Sequence, residues 1–267
     1  MTLGVALVRR PGPKLADGLV ARPRPEPIDV GLALDQHAGY RDALAAAGWR
    51  VVEAPPADEL PDATFVEDTA VLLGDRVLLT RPGHPARAGE VATVAGALAG
   101  LGVPTIELPL GCRLDGGDVL TVGRTVYIGL SGRTDEAAAR AVAGLLGPGG
   151  WRVRPVPVTG CLHLKSAVTA LPDGTLFGVP DWVDAGAFGA PVLPAPEPPG
   201  ADVLLLGPTR VGVSAAAPRT LALLAARGLD PVALDLGEFE ALDAGPTCLS
   251  VLLPGALWAP AGEPAGD

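Results

Sequence analysis

A cysteine, a histidine and two sets of carboxylates stand at the entrances of short apolar runs in this chain. Cys248 lies in Pro-Thr-Cys-Leu-Ser, His163 between Leu162 and Leu164, Glu67-Asp68 in Val-Glu-Asp-Thr, and Asp115 with Asp118 in Leu-Asp-Gly-Gly-Asp. Singly, each has an ordinary reading. A lone cysteine in apolar company is a small buried hydrophobe, a histidine between leucines is a core residue satisfied by a carbonyl, and Asp-Gly-Gly-Asp is a tight turn. Adjacent carboxylates opening an apolar strand are harder to explain so, because buried charge is costly unless paired or used. Together these types could do one specific piece of chemistry. A thiolate attacks the central carbon of a guanidinium that carboxylates hold. The imidazole protonates the departing amine, then activates the water that releases the bound intermediate. A cationic substrate favours thiolate over thiol, and a carboxylate behind the histidine fixes its orientation.

Such groups are far apart in sequence, so the elements must gather them. A pattern of polar residue, apolar run, turn and second apolar run recurs: FVEDTAVLLGDRVLLT (65–80), LDGGDVLTVGRTVYIG (114–129), LHLKSAVTALPDGTLFG (162–178), ADVLLLGPTRVGVS (201–214) and TCLSVLLPGALWA from Thr247. The turns carry Gly-Asp, Gly-Arg, Pro-Asp-Gly or Gly-Pro, which predicts hairpins. Between most copies lies an Ala-rich helical stretch (35–47, 89–101, 135–146, 218–227), followed by a short strand (50–53, 104–108, 152–156, 230–234). Thr134-Asp135 is placed to cap the third helix. A period of 40 to 50 residues predicts a repeat architecture, here a closed α/β ring of five ββαβ units. The hairpin starts, and with them the polar residues, then converge on the axis. The Pro-rich segment 191–200 reads as a surface loop within one unit, so the whole of 1–267 is expected to be a single domain, with a flexible tail over about 260–267.

Composition narrows the class. A net charge of -10 argues against a nucleic-acid partner, which selects a basic face, and is compatible with a cationic substrate. With 4% aromatics, Ala, Val and Leu must fill the core. Cys112, Cys161 and Cys248 are too few and too scattered for a disulfide framework, and Cys112 and Cys161 read as structural. His37, His84 and His163 make no metal-ligand pattern, so no metal or cofactor is expected. The start of the chain reads as a strand (3–8) rather than a signal peptide, and no apolar run is long enough for a membrane span. The expectation is a soluble cytoplasmic protein, a monomer or homodimer, with no membrane partner.

The motifs also carry a resemblance. Leu60-Pro61-Asp62 with FVEDTAV, then TRPGHPAR, LDGGDVL, GLSGRT, GCLHLKS and TCLSVL run in the order found in the dimethylarginine dimethylaminohydrolases, over about residues 8–253. Val-Glu-Asp and Leu-Asp-Gly-Gly-Asp are shared with arginine deiminases, whereas TRPG, LSGRT, LHLKS and the short Thr-Cys-x-Ser ending are similar to the dimethylarginine enzymes. The resemblance implies a pentein fold, a five-bladed α/β propeller, and hydrolysis of asymmetric dimethylarginine or monomethylarginine to citrulline and an alkylamine. It implies Cys248 as nucleophile through an S-alkylthiouronium intermediate, His163 as general acid/base and Asp115 as its orienting carboxylate. Asp62, Glu67 and Asp68 then surround the guanidinium, and Arg87 and Arg133 grip the α-carboxylate by paired hydrogen bonds. The Leu242 carbonyl and a side chain at the tip of a loop that matches the family loosely, Val20 or its neighbour Leu19, are the remaining implied contacts. The position after the nucleophile, a second cysteine in some relatives, is Leu249 here.

Overall fold

The computed structural model describes residues 2–20 and 26–255. In chain order the regular elements begin with β1 (Gly4–Val8), α1 (Val30–Ala46) and β2 (Trp49–Glu53). Next come β3 (Ala70–Leu73), β4 (Arg76–Leu79), α2 (Glu90–Gly100) and β5 (Thr105–Glu107), then β6 (Val119–Val122), β7 (Thr125–Leu130), α3 (Glu136–Leu146) and β8 (Arg152–Pro157). The third repeat gives α4 (Leu164–Ala167), β9 (Val168–Ala170), β10 (Leu176–Gly178) and β11 (Val192–Pro194). The chain then forms β12 (Leu204–Leu205), β13 (Arg210–Ser214), α5 (Pro218–Ala226), β14 (Asp230–Leu234), α6 (Gly237–Glu240) and β15 (Ser250–Pro254).

The strands form five three-stranded sheets, each with the same plan. The first two strands pair antiparallel and the third joins the middle strand in parallel, after a crossover. Local chemistry sets each piece. Gly74 and Gly123 turn the two tightest hairpins at φ +65° and +57°, a region open to glycine. Asp135 and Asp29 cap α3 and α1, accepting from Ala138 and Leu32 N–H groups at 2.9 and 3.0 Å, and Pro218 occupies the first turn of α5. The third blade has no long helix; two short 3-10 turns, Pro180–Trp182 and Ala185–Phe188, make its crossover. The segment read as a loop at 191–200 therefore contains β11, the third strand of that blade.

The fifth unit differs from the sequence expectation. No local hairpin follows Thr247 among the described residues. β15 pairs antiparallel with β1, Leu7 opposite Val251, and β1 in turn pairs parallel with β2. The missing strand is supplied by the other end of the chain, which closes the ring. The expected tail at 260–267 lies outside the described residues. Buried side chains form five apolar clusters; in one of them Val66, Leu7 and Val251 meet, tying β1 and β15 to the next blade. No helix among the described residues is long and apolar enough to cross a membrane.

Candidate active site

A short helical turn leads into the first strand of every blade: Val66–Thr69, Gly116–Asp118, α4, Pro198–Ala201 and Pro246–Leu249. These turns meet at the axis. The first touches both 246–249 and 116–118, and α4 touches both 116–118 and 198–201. Every residue expected at the hairpin starts is thereby brought to one centre.

His163 precedes α4 in extended backbone and is buried. Its Nε2 lies 3.1 Å from Asp115 Oδ2, and its Nδ1 faces Asp68 Oδ1 at 3.9 Å. Gly117 makes room for the ring: a β-carbon there would stand 2.7 Å from Nδ1. Two carboxylates hold the turns on either side. Asp115 Oδ1 accepts from Gly83 N–H at 2.6 Å, and Asp118 accepts from Leu164 N–H and Ser131 Oγ at 2.9 and 2.6 Å. Burial alone would lower the imidazole, but the negative charge of Asp68 and the bond to Asp115 carry it up to about 9. It is an imidazolium at neutral pH.

Cys248 sits in the turn 246–249, almost wholly buried, and its Sγ accepts from Gly245 N–H at 3.4 Å. Burial pushes the thiol well above its usual range, and the charges of Asp202, Glu67 and Asp68 push the same way. Without a cation beside it, the group is a thiol. The turn is held from three directions. Tyr40 of α1 donates to Pro246 O at 2.9 Å, Glu67 Oε2 lies 2.9 Å from Thr247 Oγ1, and Asp202 Oδ1 accepts from Thr247 N–H at 3.2 Å.

One narrow cavity is lined by Cys248, His163, Asp62, Asp68, Arg87, Arg133 and Leu242, together with Leu19, Phe65, Leu162, Asp243 and Ala244. Its polar wall is already ion-paired. Arg87, buried, bonds Asp68 Oδ2 at 2.5 Å and Glu90 Oε2 at 2.7 Å, and donates to the carbonyls of Phe65 and Asp62. The Asp68 carboxyl, although burial opposes ionisation, is held well below the usual range by the charges of His163 and Arg87. Arg133, less enclosed, donates to Asp115 Oδ2 at 3.3 Å. Burial raises Asp62, which accepts from Leu19 N–H at 3.0 Å. Asp68, Asp115 and His163 offer donor atoms within 4.8 Å of one another, a spacing a metal ion would accept, but in the structure these atoms face each other, Arg87 and Gly117.

Three of the expected residues stand outside the polar wall of the cavity. Asp115 stands behind the imidazole, as an orienting carboxylate should. Glu67 is turned away from the cavity onto Lys165 Nζ at 2.5 Å and Thr247, because its neighbour Asp68 takes the cavity side of the same turn. Of the two loop residues, Val20 packs into the apolar cluster of Leu15 and Phe239, and Leu19, pinned to Asp62 through its N–H, supplies the lining side chain. Sequence reasoning passed over Tyr40, Glu90, Thr247 and Asp202. Asp202 had a signal, since it occupies in the fourth unit the hairpin start that carboxylates, His163 and Cys248 occupy in the others.

Comparison with known proteins decides what this ring of residues belongs to. No family model matches the chain. It is 48% identical over 248 residues to the N(G),N(G)-dimethylarginine dimethylaminohydrolase of Streptomyces coelicolor, covering 93% of this chain and 96% of that one. This chain belongs to the dimethylarginine dimethylaminohydrolase family. The Pseudomonas aeruginosa dimethylarginine dimethylaminohydrolase is 30% identical over 251 residues, 92% of this chain and 97% of its own. A solved structure of that bacterium's enzyme, a cysteine-to-serine mutant complexed with citrulline, superimposes with a TM-score of 0.84 at 27% identity, over 94% of this chain and 99% of the other. The N-terminal domain of ArgZ, a cyanobacterial arginine dihydrolase, shares the fold with a TM-score of 0.79 at 19% identity, over 92% of this chain and 96% of that one. The architecture is the pentein five-bladed α/β propeller of the dimethylarginine dimethylaminohydrolases, as the repeat predicted.

Proposed function

We propose that the chain hydrolyses asymmetric N,N-dimethyl-L-arginine and monomethyl-L-arginine to L-citrulline and dimethylamine or methylamine. The observation that carries this reading is the narrow cavity walled by Cys248, His163 and ion-paired carboxylates, in a chain so similar to dimethylarginine dimethylaminohydrolases. Asp68 and Asp62 face the substrate guanidinium, whose positive charge offsets the groups that keep Cys248 protonated. The thiol proton passes to solvent as the cation binds and returns when product leaves. The thiolate sulfur bonds to the central guanidinium carbon, and the carbon–nitrogen bond to the methylated amine breaks as His163, charged at neutral pH, gives that nitrogen its proton. Water, deprotonated by the now neutral imidazole, adds to the same carbon of the S-alkylthiouronium intermediate. Sulfur leaves as thiolate and citrulline is released, one water consumed for one amine formed.

Asp115 keeps the imidazole in place throughout. Arg133 receives the substrate α-carboxylate. Arg87, its donors committed to Asp68, Glu90 and two carbonyls, adds positive charge on the same side and fixes Asp68. Leu19 closes over the aliphatic stem, and the Leu242 carbonyl borders the guanidinium. Glu67 supports the nucleophile turn through Thr247. The centre draws on all five blades of one chain, so the ring is read as one catalytic domain over 1–267, and a monomer or homodimer would carry the same site. A free thiol suits a reducing, cytoplasmic setting.

Turnover assays on arginine, mono- and dimethylarginine and agmatine test this reading, with citrulline, carbamoylputrescine and released amines measured. Citrulline with dimethylamine from dimethylarginine is the expected result, lost by at least about a thousandfold in Cys248→Ser. Ammonia from arginine as the main product would overturn the methylarginine assignment. Substrate binding without turnover, identical in wild type and Cys248→Ser, would overturn catalysis altogether.

A further inference from the structure

Asp202 is a buried carboxylate that the reaction above does not use. It follows the turn Pro198–Ala201 and stands two residues before β12, as Asp68 stands two before β3 and Cys248 two before β15. Its side chain reaches across to the nucleophile turn. Oδ1 accepts from Thr247 N–H at 3.2 Å, and Oδ2 lies 3.2 Å from Thr247 Oγ1. The approach is so close that a β-carbon at Gly245 would stand 2.1 Å from Oδ2, which accounts for glycine at a position whose φ needs none.

The proton count here is informative. Thr247 Oγ1 lies within hydrogen-bond distance of two carboxylates, Glu67 Oε2 at 2.9 Å and Asp202 Oδ2 at 3.2 Å. A hydroxyl has one hydrogen to donate and lone pairs to accept with. Glu67 is the shorter contact and is also paired with Lys165 at 2.5 Å, so it is the charged acceptor. The other contact is then satisfied only if Asp202 carries a proton and donates it to Thr247 Oγ1. We propose that Asp202 is a positioning residue for the nucleophile, a neutral acid that holds Thr247, and with it Cys248, in the reactive turn.

The surroundings agree. Burial, then the charge of Glu67, pushes Asp202 up to about 8, with Lys165 and the two Thr247 bonds opposing. The groups that face it from the packed elements are Glu67, Lys165, Thr247, Cys248 and the phenol of Tyr40; Glu240 and Asp243 share with it the wall of a neighbouring cavity of about 750 Å³. Neutrality matters to the thiol, because an ionised Asp202 is the charge that most opposes the Cys248 thiolate. The turn can therefore be bonded by a carboxyl group without the full electrostatic cost to the nucleophile, as long as that carboxyl keeps its proton.

The inference rests on Cys248 being the nucleophile, and its test is arranged to fail separately. Two variants are needed. Asp202→Asn reproduces a neutral carboxyl, its carbonyl accepting from Thr247 N–H and its amide donating to Oγ1. Asp202→Ala removes both bonds. The rate of carbamidomethylation of the Cys248 peptide by iodoacetamide, followed by mass spectrometry from pH 6 to 10, reads the thiol without any substrate. The expected result is alkylation about tenfold faster in Asp202→Asn than in wild type at pH 10, the two rates converging below pH 8, because the charge that appears above pH 8 is gone. In turnover, Asp202→Ala is expected to lower kcat about a hundredfold with a smaller change in KM, and Asp202→Asn to recover most of that loss. An alkylation profile of Asp202→Asn superimposed on wild type would overturn the proposal, as would an Asp202→Ala enzyme with wild-type kcat. A chain inactive on methylarginines that still shows the faster alkylation of Asp202→Asn would fail the proposed function and keep the role of Asp202.

Discussion

Two buried histidines titrate in opposite directions, and their surroundings say why. His163 is surrounded by carboxylates and rises to about 9 against its burial. His37, in α1 against Tyr40 and Phe239, is lowered to about 4 by burial first and then by the charges of Arg41 and Arg10, and its Nε2 is buried with no partner among the described residues. A folded-state value above the unfolded one means the native state binds the extra proton, so the contribution of His163 to stability is full below about 6.5 and is lost as pH rises through 9. His37 works the other way. The unfolded chain takes up its proton first, and stability falls as pH drops from about 6.5 through 4, by up to about 3 kcal/mol. Urea titrations from pH 4 to 9 are expected to show the acid loss shrink in His37→Leu and the alkaline loss shrink in His163→Gln. Imidazole proton NMR of the native protein gives the direct check: His37 neutral at pH 5.5, His163 still charged at pH 8. That Cys248, His163, Asp115 and Asp68 would gather in one place was legible in the residues, because their types suit a single reaction and each stands at the entrance of an apolar run. The opposite character of the two histidines was not, since both stand among apolar neighbours in sequence and only the fold brings carboxylates to one of them.

The short turns that open each blade are the elements through which sequence becomes site. Each fixes which of two adjacent side chains faces the cavity. In Val66–Thr69 it is Asp68 that does so, while Glu67 faces Lys165 and Thr247. A linear motif names both residues but not the rotation between them, which is why Glu67 was expected around the substrate. Leu19 and Val20 show the same limit on the N-terminal loop, where one N–H bond to Asp62 decides which side chain lines the cavity. The turn Gly116–Asp118 carries a sharper constraint. Gly117 donates its N–H to Asp68 Oδ1 at 2.8 Å while the imidazole of His163 lies across its α-carbon. Gly117→Ala would drive a methyl into both. It is expected to cost about 1–3 kcal/mol in a urea melt, and to lower kcat about a hundredfold by displacing the imidazole. A fully active Gly117→Ala enzyme would show that the ring does not need its present seat.

At the scale of the molecule, the repeat in the sequence was enough to predict five blades, because four hairpins announce themselves by their turn residues and four crossovers by an Ala-rich helix. Two things were hidden. The third crossover uses 3-10 turns in place of a helix, and the fifth blade borrows β1, so neither leaves a local pattern to find. The borrowed strand is buried and central to its sheet: Leu7 is fully enclosed and packs with Val66 and Val251. Leu7→Ala is expected to destabilise the protein by about 2–5 kcal/mol in urea denaturation, although it lies on no wall of the cavity. Pairing between strands so distant in sequence is slow, since the loop must close before any contact rewards it. This has a consequence for the newly made chain. Among the residues of the centre, Cys248 leaves the ribosome last, and it reaches its place beside His163 only when β15 finds β1, a strand made before every other element of the ring. With Cys248 in the role proposed above, the chain is born disarmed. The event that completes the ring arms the thiol, and anything that pulls β1 away from β15 would disarm it again with every residue of the centre intact.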